Sequence, residues 1–386
     1  MNIAIDARWI FPEISGVGAY TREIIRELAQ LPARHQFLLL FSDDAVLART
    51  RAELNLDRAP HLRTLRVPYG LFSPRSQLAL PALLRQQRIR VYHSTNYMIP
   101  LPAFPRNRRG DIRAVVTIHD VIPLLFPDHA PRSKKARVFP LYRALMREIG
   151  RRADTLVTDS QASARDIIRT LAIPTTRADR VRTVHCGVSQ RFVPPTAPAP
   201  ARPPSEPRRL LYVGRADPYK NLTTLIRVLA RVRESLPIPV ELVIAGAPDP
   251  RYPEATQLAH ELGLTPHVRW TGYLSDDDLV RLYQTSDALV HCSRYEGFGL
   301  QVVEAMACGL PVVCSNAGSL PEVAGDAALL AAPDDVTALA RHVETILTQP
   351  AVAADLRRRG LQQASRFTWR QTATKILRLY EELEEP

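Results

Sequence analysis

Long apolar segments are missing from this sequence. Runs such as Phe37-Leu38-Leu39-Leu40-Phe41 fall far short of the roughly 20 residues that a membrane-spanning helix needs. A cationic leader followed by an apolar core is also missing. Met1-Asn2-Ile3-Ala4-Ile5-Asp6 goes straight into a strand pattern, so no secretory signal is expected. Cysteine is scarce: Cys186, Cys292, Cys308 and Cys314 are the only four in 386 residues, with no C-x-x-C spacing. Free, buried thiols in a reducing cytoplasm are expected. Acidic residues are in deficit, with 39 Asp and Glu against 51 Lys and Arg, a net charge of +12. The deficit sits in one half. Residues 1–193 carry 31 basic against 16 acidic side chains, a net of +15, and the remainder carries 20 against 23, a net of −3. Such asymmetry suggests that the first half meets an acidic surface, either nucleic acid or an anionic membrane. No recognised motif or aromatic-basic interleaving supports nucleic acid.

What is present is alternation. Apolar strand-like runs at 3–6, 37–41, 91–94, 114–118, 155–158 and 181–184 alternate with helical patterns. A stretch rich in proline follows, from Val193 to Pro207, which can neither pair in a sheet nor continue a helix. A second alternating set then occupies 210–213, 240–245, 268–271, 288–291, 312–314 and 327–330. The chain therefore reads as α/β, with two doubly wound, Rossmann-like domains: 1–193, a linker at 194–207, and 208–366. Residues 367–386 read as a closing helix with Ala373, Ile376, Leu377 and Tyr380 on one stripe.

The chemistry concentrates at 293–325. After the strand Ala288-Leu289-Val290-His291 comes the loop Arg294-Tyr295-Glu296-Gly297-Phe298-Gly299. An apolar helix follows from Leu300 to about Ala307, stopped by Gly309 and Pro311. A helix start of this kind offers backbone N–H groups to an anion. Glu296 and Glu304 stand seven residues apart in this unit. Glu304 has no cation at i±3 or i±4 and lies on an otherwise apolar helix, so burial is expected. A buried carboxylate needs hydrogen-bond donors, which sugar hydroxyls or a distant arginine could supply.

Three other segments carry candidate groups. Ser15-Gly16-Val17-Gly18-Ala19-Tyr20 follows the first strand region and leads into a helix from about Thr21. The third glycine of a dinucleotide fingerprint is absent, so a tight strand-to-helix turn is an equal reading. Thr117-Ile118-His119-Asp120 ends a strand, where ligands bind in open α/β sheets. Gly214-Arg215-Ala216-Asp217-Pro218-Tyr219-Lys220-Asn221 presents Arg215 and Lys220 before a helix. The pair suits a diphosphate, although two solvated cations with Asn221 as the helix cap would leave the same pattern. Asp276-Asp277-Asp278 contains D-x-D, but Ser275 before it and Leu279, Leu282 and Tyr283 after it read as an ordinary capped helix, so no metal is expected.

Taken together, Glu296-(seven residues)-Glu304, Gly309-Leu310-Pro311-Val312-Val313 and Gly318-Ser319-Leu320-Pro321-Glu322-Val323 resemble the donor-site signature of retaining GT-B glycosyltransferases of family 4. The resemblance implies two Rossmann-like domains facing across a cleft, with the final helix crossing back to the first domain. It implies a nucleoside-diphosphate-sugar donor and no cofactor. Glu304 would bind the ribose, while Glu296 and His119 would bind the transferred sugar. Arg215 and Lys220 would stabilise the departing diphosphate. The loop Gly16, Val17 and Gly18, with Gly297, Phe298, Gly299 and Leu300, would line the substrates. Asp6-Ala7-Arg8, Gly16-Val17-Gly18-Ala19-Tyr20-Thr21 and the run from Leu320 to Asp326 look most like bacterial mannosyl- or rhamnosyltransferases of polysaccharide assembly, with GDP-mannose as the first expected donor, UDP-glucose and related sugars left open, and a glycan or lipid-linked glycan as acceptor. A nucleotide-sugar epimerase on the same scaffold and a non-catalytic binding module are the competing readings.

The basic half has its own candidate. Pro131-Arg132-Ser133-Lys134-Lys135-Ala136-Arg137 leads into a helical pattern with Leu141, Leu145 and Ile149 on one stripe and Arg143, Arg147 and Arg151 on another. With Arg106, Arg108 and Arg109, this helix is expected to rest on an anionic membrane surface without crossing it.

Overall fold

A computed structural model describes every residue except Ile14, Ala33, Asn107, 128–138, 197–202, 204–205 and 385–386. The lead-in 131–137 of the basic helix and much of the proline-rich stretch therefore lie outside the described residues. The chain forms two compact units. Unit 1 takes the described residues of Met1–Val121, Val138–Gly187 and Trp369–Pro386, and unit 2 takes those of 122–137 and 188–368.

Unit 1 is built on seven strands: β1 (Asn2–Asp6), β2 (Gln36–Phe41), β3 (Leu62–Arg66), β4 (Val91–Ser94), β5 (Arg113–Thr117), β6 (Thr155–Thr158) and β7 (Val181–Thr183). Their spatial order is β3-β2-β1-β4-β5-β6-β7, with every pair parallel. The near-continuous apolar runs have this cause, since a parallel sheet is covered by helices on both faces. β3 escaped the sequence reading because Leu62-Arg63-Thr64-Leu65-Arg66 holds only two apolar residues, with no period-two pattern. It is an edge strand, where one side can meet water.

Unit 2 repeats the plan with β8 (Arg208–Val213), β9 (Val240–Ala245), β10 (Val268–Trp270), β11 (Ala288–His291), β12 (Val312–Ser315) and β13 (Ala328–Ala331), ordered β10-β9-β8-β11-β12-β13 and all parallel. In both sheets the order reverses beside the first strand. That switch point opens a crevice at the carboxyl ends of the strands.

Helix positions follow local chemistry, with three corrections. The first helix spans Gly16–Gln30 rather than starting near Thr21, because the Ser15 hydroxyl accepts the Gly18 N–H as N-cap. The basic helix, Phe139–Arg152, buries Tyr142, Met146 and Ile149, while Leu141 is exposed, so its core stripe is turned from the expected one. The closing helix, Trp369–Glu382, buries Leu379 where Leu377 was expected, beside Ala373, Ile376 and Tyr380.

That closing helix is part of unit 1. His93, fully buried on β4, receives it: Tyr380 Oη lies 2.6 Å from Nδ1, and Thr117 Oγ1 lies 2.9 Å from Nε2. Burial, with the nearby charge of His119, pulls the His93 pKa down to about 3, so the ring is neutral and bridges two hydroxyls. Removing one hydroxyl would leave a buried ring nitrogen unpaired. Tyr380→Phe should therefore destabilise the protein by about 1–3 kcal/mol, measured as a lower midpoint in urea with unchanged slope. An unchanged midpoint would mean that the bond contributes nothing.

Candidate active site

The unit 2 candidates gather at the carboxyl end of its sheet. His291 closes β11, and the loop after it carries Glu296. Ser319 holds the loop's shape by donating to the carbonyls of Glu296 (3.0 Å) and Phe298 (2.8 Å). Gly318, at φ +58°, packs so tightly that a Cβ there would come within 2.9 Å of the Glu296 backbone. Gly299, at φ +96°, ends the loop and precedes the helix Leu300–Ala307, and a Cβ at this position would strike Leu320 at 2.7 Å.

Glu296 is buried and meets two groups from other parts of the sheet. Lys220 Nζ donates to both carboxylate oxygens at 2.8 Å, and His291 Nε2 lies 2.7 Å from Oε1. Burial pushes the carboxyl up, but the Lys220 charge and the hydrogen bonds from His291 and Lys220 outweigh it and hold Glu296 well below the usual carboxylate range. The carboxylate is therefore charged and fixed. His291 is fully buried, and its ring stacks on Tyr212 at 5.5 Å and 11°. Because Glu296 is an acceptor, Nε2 carries a proton. Sequence reading missed His291, although it is the one titratable side chain in an apolar strand.

Glu304 lies on the helix Leu300–Ala307. Its donor is neither a distant arginine nor left to a ligand alone: the Tyr283 hydroxyl, fully buried, donates to Oε2 at 2.8 Å. Glu304 is half-buried rather than buried, and desolvation, with a smaller push from the Asp276 charge, raises its carboxyl to about 7 against the pull of that bond. Tyr283 was visible in the sequence only as part of a helical stripe.

An open pocket of about 560 Å³ lies at the carboxyl ends of β8, β9 and β10; Lys220, Glu296, His291, Tyr283 and Glu304 are not among its lining residues. Gly214, Gly246 and Gly272, which follow β8, β9 and β10, help to line it. A Cβ on Gly246 would lie 2.2 Å from the Gly214 carbonyl, so two backbones meet there. Arg215 and the exposed Tyr273 line the same pocket. Arg215 is paired with Asp217 at 3.0 Å. Asn221 stands at the N-cap of its helix, as the capping reading allowed, but its side chain makes no capping bond. It adopts φ +59°, and its amide donates to the carbonyls of Cys292 and Pro333 and to Asp334, tying β8 to β11. The aspartate run is capped as expected, with Ser275 Oγ accepting the Asp278 N–H at 3.1 Å. Among the described residues, no group of three or more His, Cys, Asp or Glu side chains is placed to hold a metal ion.

Unit 1 contributes its own strand ends. His119, after β5, has Nδ1 2.7 Å from Asp159 Oδ2 and Nε2 3.1 Å from the Thr95 carbonyl. Both partners are acceptors, so both ring nitrogens donate and the ring is an imidazolium. Burial works against that charge, but the Asp159 charge and hydrogen bond raise the pKa overall. The ring thus pins together the segments that follow β4, β5 and β6. Both N–H groups of His119 are engaged, so a sugar hydroxyl could gain one only by displacing Asp159 or the Thr95 carbonyl. Gly16 is open, Val17 packs near Trp9, and Gly18 lies against the Trp9–Ile10 backbone. The amides of Gly16 and Val17 have no intrahelical partner.

Comparison with known proteins agrees with this layout. Residues 14–192 match the family described as Glycosyltransferase Family 4, and residues 195–363 match Glycosyl transferases group 1. The O-antigen chain mannosyltransferase B of Escherichia coli is 31% identical over 98% of this chain and 99% of its own length. The chain belongs to the family 4 glycosyltransferases. This family 4 chain also resembles two solved structures across nearly their whole lengths. Sucrose-phosphate synthase of Thermosynechococcus elongatus has a TM-score of 0.74 at 22% identity, covering 99% of this chain and 98% of the other. Anabaena Alr3699/HepE, solved with UDP-glucose, has 0.70 at 21%, covering 99% and 100%. These likenesses establish the GT-B fold expected from the signature.

The enzyme's Glu296 should depend on His291. His291→Leu removes the donor and should lower kcat/KM for the sugar donor about ten- to a hundredfold, since a hydrogen bond to a charged group is lost. His291→Gln, which keeps an N–H near the Nε2 position, should recover part of it. Steady-state kinetics beside thermal melting is the check. Equal loss in both variants, tracking the folded fraction, would make the residue merely structural.

Proposed function

We propose that this glycosyltransferase moves mannose, with retention of anomeric configuration, from GDP-mannose to a glycan or lipid-linked glycan in bacterial polysaccharide assembly. The buried Lys220–Glu296–His291 trio, at the same carboxyl end of the sheet as the open pocket, carries this reading. The mannosyl assignment leans on the near full-length likeness to the E. coli O-antigen enzyme.

The parts then divide as follows. The base occupies the pocket near Tyr273, and the ribose hydroxyls donate to Glu304. The mannose hydroxyls donate to Glu296, whose charge is kept by Lys220. Arg215 and Lys220 meet the diphosphate. As the anomeric C–O bond breaks, negative charge grows on that diphosphate, and both cations stabilise it more than they do the intact donor. The acceptor hydroxyl attacks from the same face, its oxygen forms the new glycosidic bond, and its proton passes to a diphosphate oxygen. No side chain serves as nucleophile. With two cations on the leaving group and the aspartate run used for capping, transfer is proposed to need no metal. On unit 1, the helix start supplies the amides of Gly16 and Val17 to an anionic part of donor or acceptor, with Gly18 keeping the turn close to the Trp9–Ile10 backbone, and His119 holds the strand ends around it.

The test is product mass after incubation of GDP-mannose, UDP-glucose and other nucleotide sugars with lipid-linked acceptors, in chelator. Mannose transfer is expected. Donor turnover with no acceptor would favour an epimerase, and loss of transfer in chelator with rescue by manganese would overturn the metal-free step. Glu304 gives a pH signature. Its folded carboxyl, at about 7, lies above the ordinary 4.5. In the free enzyme its contribution to stability is full below pH 4.5 and is lost as pH rises through 7. A nucleotide that donates hydroxyls to the ionised form should bind about tenfold more weakly per unit below pH 7 and level off above it. In Glu304→Gln that slope should vanish, and a wild-type affinity independent of pH would remove Glu304 from the site.

The acceptor reading bears on location. No helix among the described residues is long and apolar enough to cross a membrane. We propose that Arg143 and Arg147, with Arg151, help the enzyme rest on an anionic surface. Glu148 already bonds Arg151 and Arg106, which weakens their share. Each free cation near such a surface contributes on the order of 1 kcal/mol. Pelleting with anionic vesicles should fade with salt and drop when Arg143 and Arg147 become Glu. Equal pelleting with neutral vesicles would refute the docking.

A further inference from the structure

A second concave site lies on unit 1 at the opposite edge of its sheet. Arg85 ends the helix Pro74–Gln86 before β4. Arg108 and Arg109 sit in the loop before β5, and Arg152 ends the helix Phe139–Arg152 before β6. All four line one pocket of about 510 Å³. In a parallel sheet, segments that precede the strands share one edge and segments that follow them share the other. His119, Thr95 and Asp159 follow β5, β4 and β6, so this pocket is separate from them.

The pocket is built, not a chance of flexible side chains. Phe104, buried, packs on Tyr92 at 5.8 Å. Gly110 closes the loop on Pro105 so tightly that a Cβ would come within 2.8 Å of its ring. Arg152 Nη1 donates to the carbonyls of Leu101 (3.0 Å) and Phe104 (2.6 Å), which aims the guanidinium. Asp111 is the one acid that lines the pocket, set against four arginines, and the acids around the pocket are engaged. Glu148 bonds Arg106, Arg151 and Arg152, and Asp154 lies 3.9 Å from Arg113. Arg109 lies close enough to Asp154 to feel its charge, but it makes no ion pair with it. Among the described residues, the Arg85, Arg108 and Arg109 guanidinia have no acidic partner within ion-pair distance.

We propose that this pocket binds a phosphate or diphosphate group, separately from the sugar donor. Several planar guanidinium forks converging on one concavity match phosphate oxygens in geometry as well as charge. The group could be carried by a soluble metabolite or by a lipid headgroup, and the recognition chemistry is shared. The proposal does not rest on the donor assignment, because the two sites lie on different units.

Pyrophosphate is the probe, titrated calorimetrically into the full chain after saturation with a nucleoside diphosphate that fills the donor site. One further pyrophosphate should bind per chain, about tenfold or more weakly in the R85E/R109E double variant and unchanged in R215A. Melting temperature and nucleotide affinity of R85E/R109E report its folding; if it does not fold, R109Q alone serves. Heat abolished by the nucleotide, or lost in R215A instead, would place the anion in the donor site and overturn the proposal. In a parallel arm, loss of pelleting with phosphatidic acid vesicles by R85E/R109E assigns the phosphate to a headgroup. Undiminished pelleting beside lost pyrophosphate binding assigns it to a soluble ligand.

Discussion

The contact between Lys220 and Glu296 sets the terms for the rest of unit 2. Two opposite charges, both largely buried, must satisfy each other or forfeit several kcal/mol of solvation apiece. Their partnership explains the surroundings. His291 takes up one carboxylate oxygen from below, and Ser319 and Gly318 clamp the loop backbone. The Asn221 amide fixes the turn that delivers Lys220 to the end of β11. A pair held this firmly presents a charged oxygen and an ammonium whose positions do not depend on a ligand. That is the preorganisation electrostatic catalysis uses. By contrast, Arg215 is exposed and paired only with Asp217 two residues on, so its guanidinium is not fixed in the same way.

Both sheets impose a single direction. Because every strand runs parallel, all the loops that leave strands emerge on one edge of each unit, and each unit needs only one edge for substrates. The glycines after β8, β9 and β10 keep that edge of unit 2 hollow, and Tyr273 stands exposed at its rim. The other edge of each sheet is then available for different uses, and unit 1 places unpaired arginines there.

Much of this was legible in the sequence. Twelve of the thirteen strands overlap runs read from the sequence, and β3 was hidden because an edge strand can carry two arginines and a threonine among five residues. The two glutamates, Arg215, Lys220 and His119 were picked out as candidates from motif and position. Their partners were not. Lys220 and Glu296 are 76 residues apart, and no local pattern states that they touch. Tyr283 looked like a core residue because its ring is one; only its hydroxyl reaches Glu304. The protonated state of His119 follows from two acceptors contributed by other strand ends, which spacing along one segment does not encode. The turned stripe of the basic helix has a similar cause. Leu141 and Tyr142 fit a helical face equally well, and tertiary packing beside Tyr97 selects the tyrosine.

The helix Trp369–Glu382 bears on the order in which the protein is made. Tyr380 closes a hydrogen bond with a partner 287 positions earlier, and Thr372 reaches back 187 positions to the His185 carbonyl. Unit 2, almost continuous between Val188 and Thr368, is therefore fully synthesised before the segment that completes unit 1 leaves the ribosome. The N-terminal sheet must wait, with the groove for that helix open and apolar, while the later unit folds. A fragment ending at 193 would carry the same uncovered groove permanently.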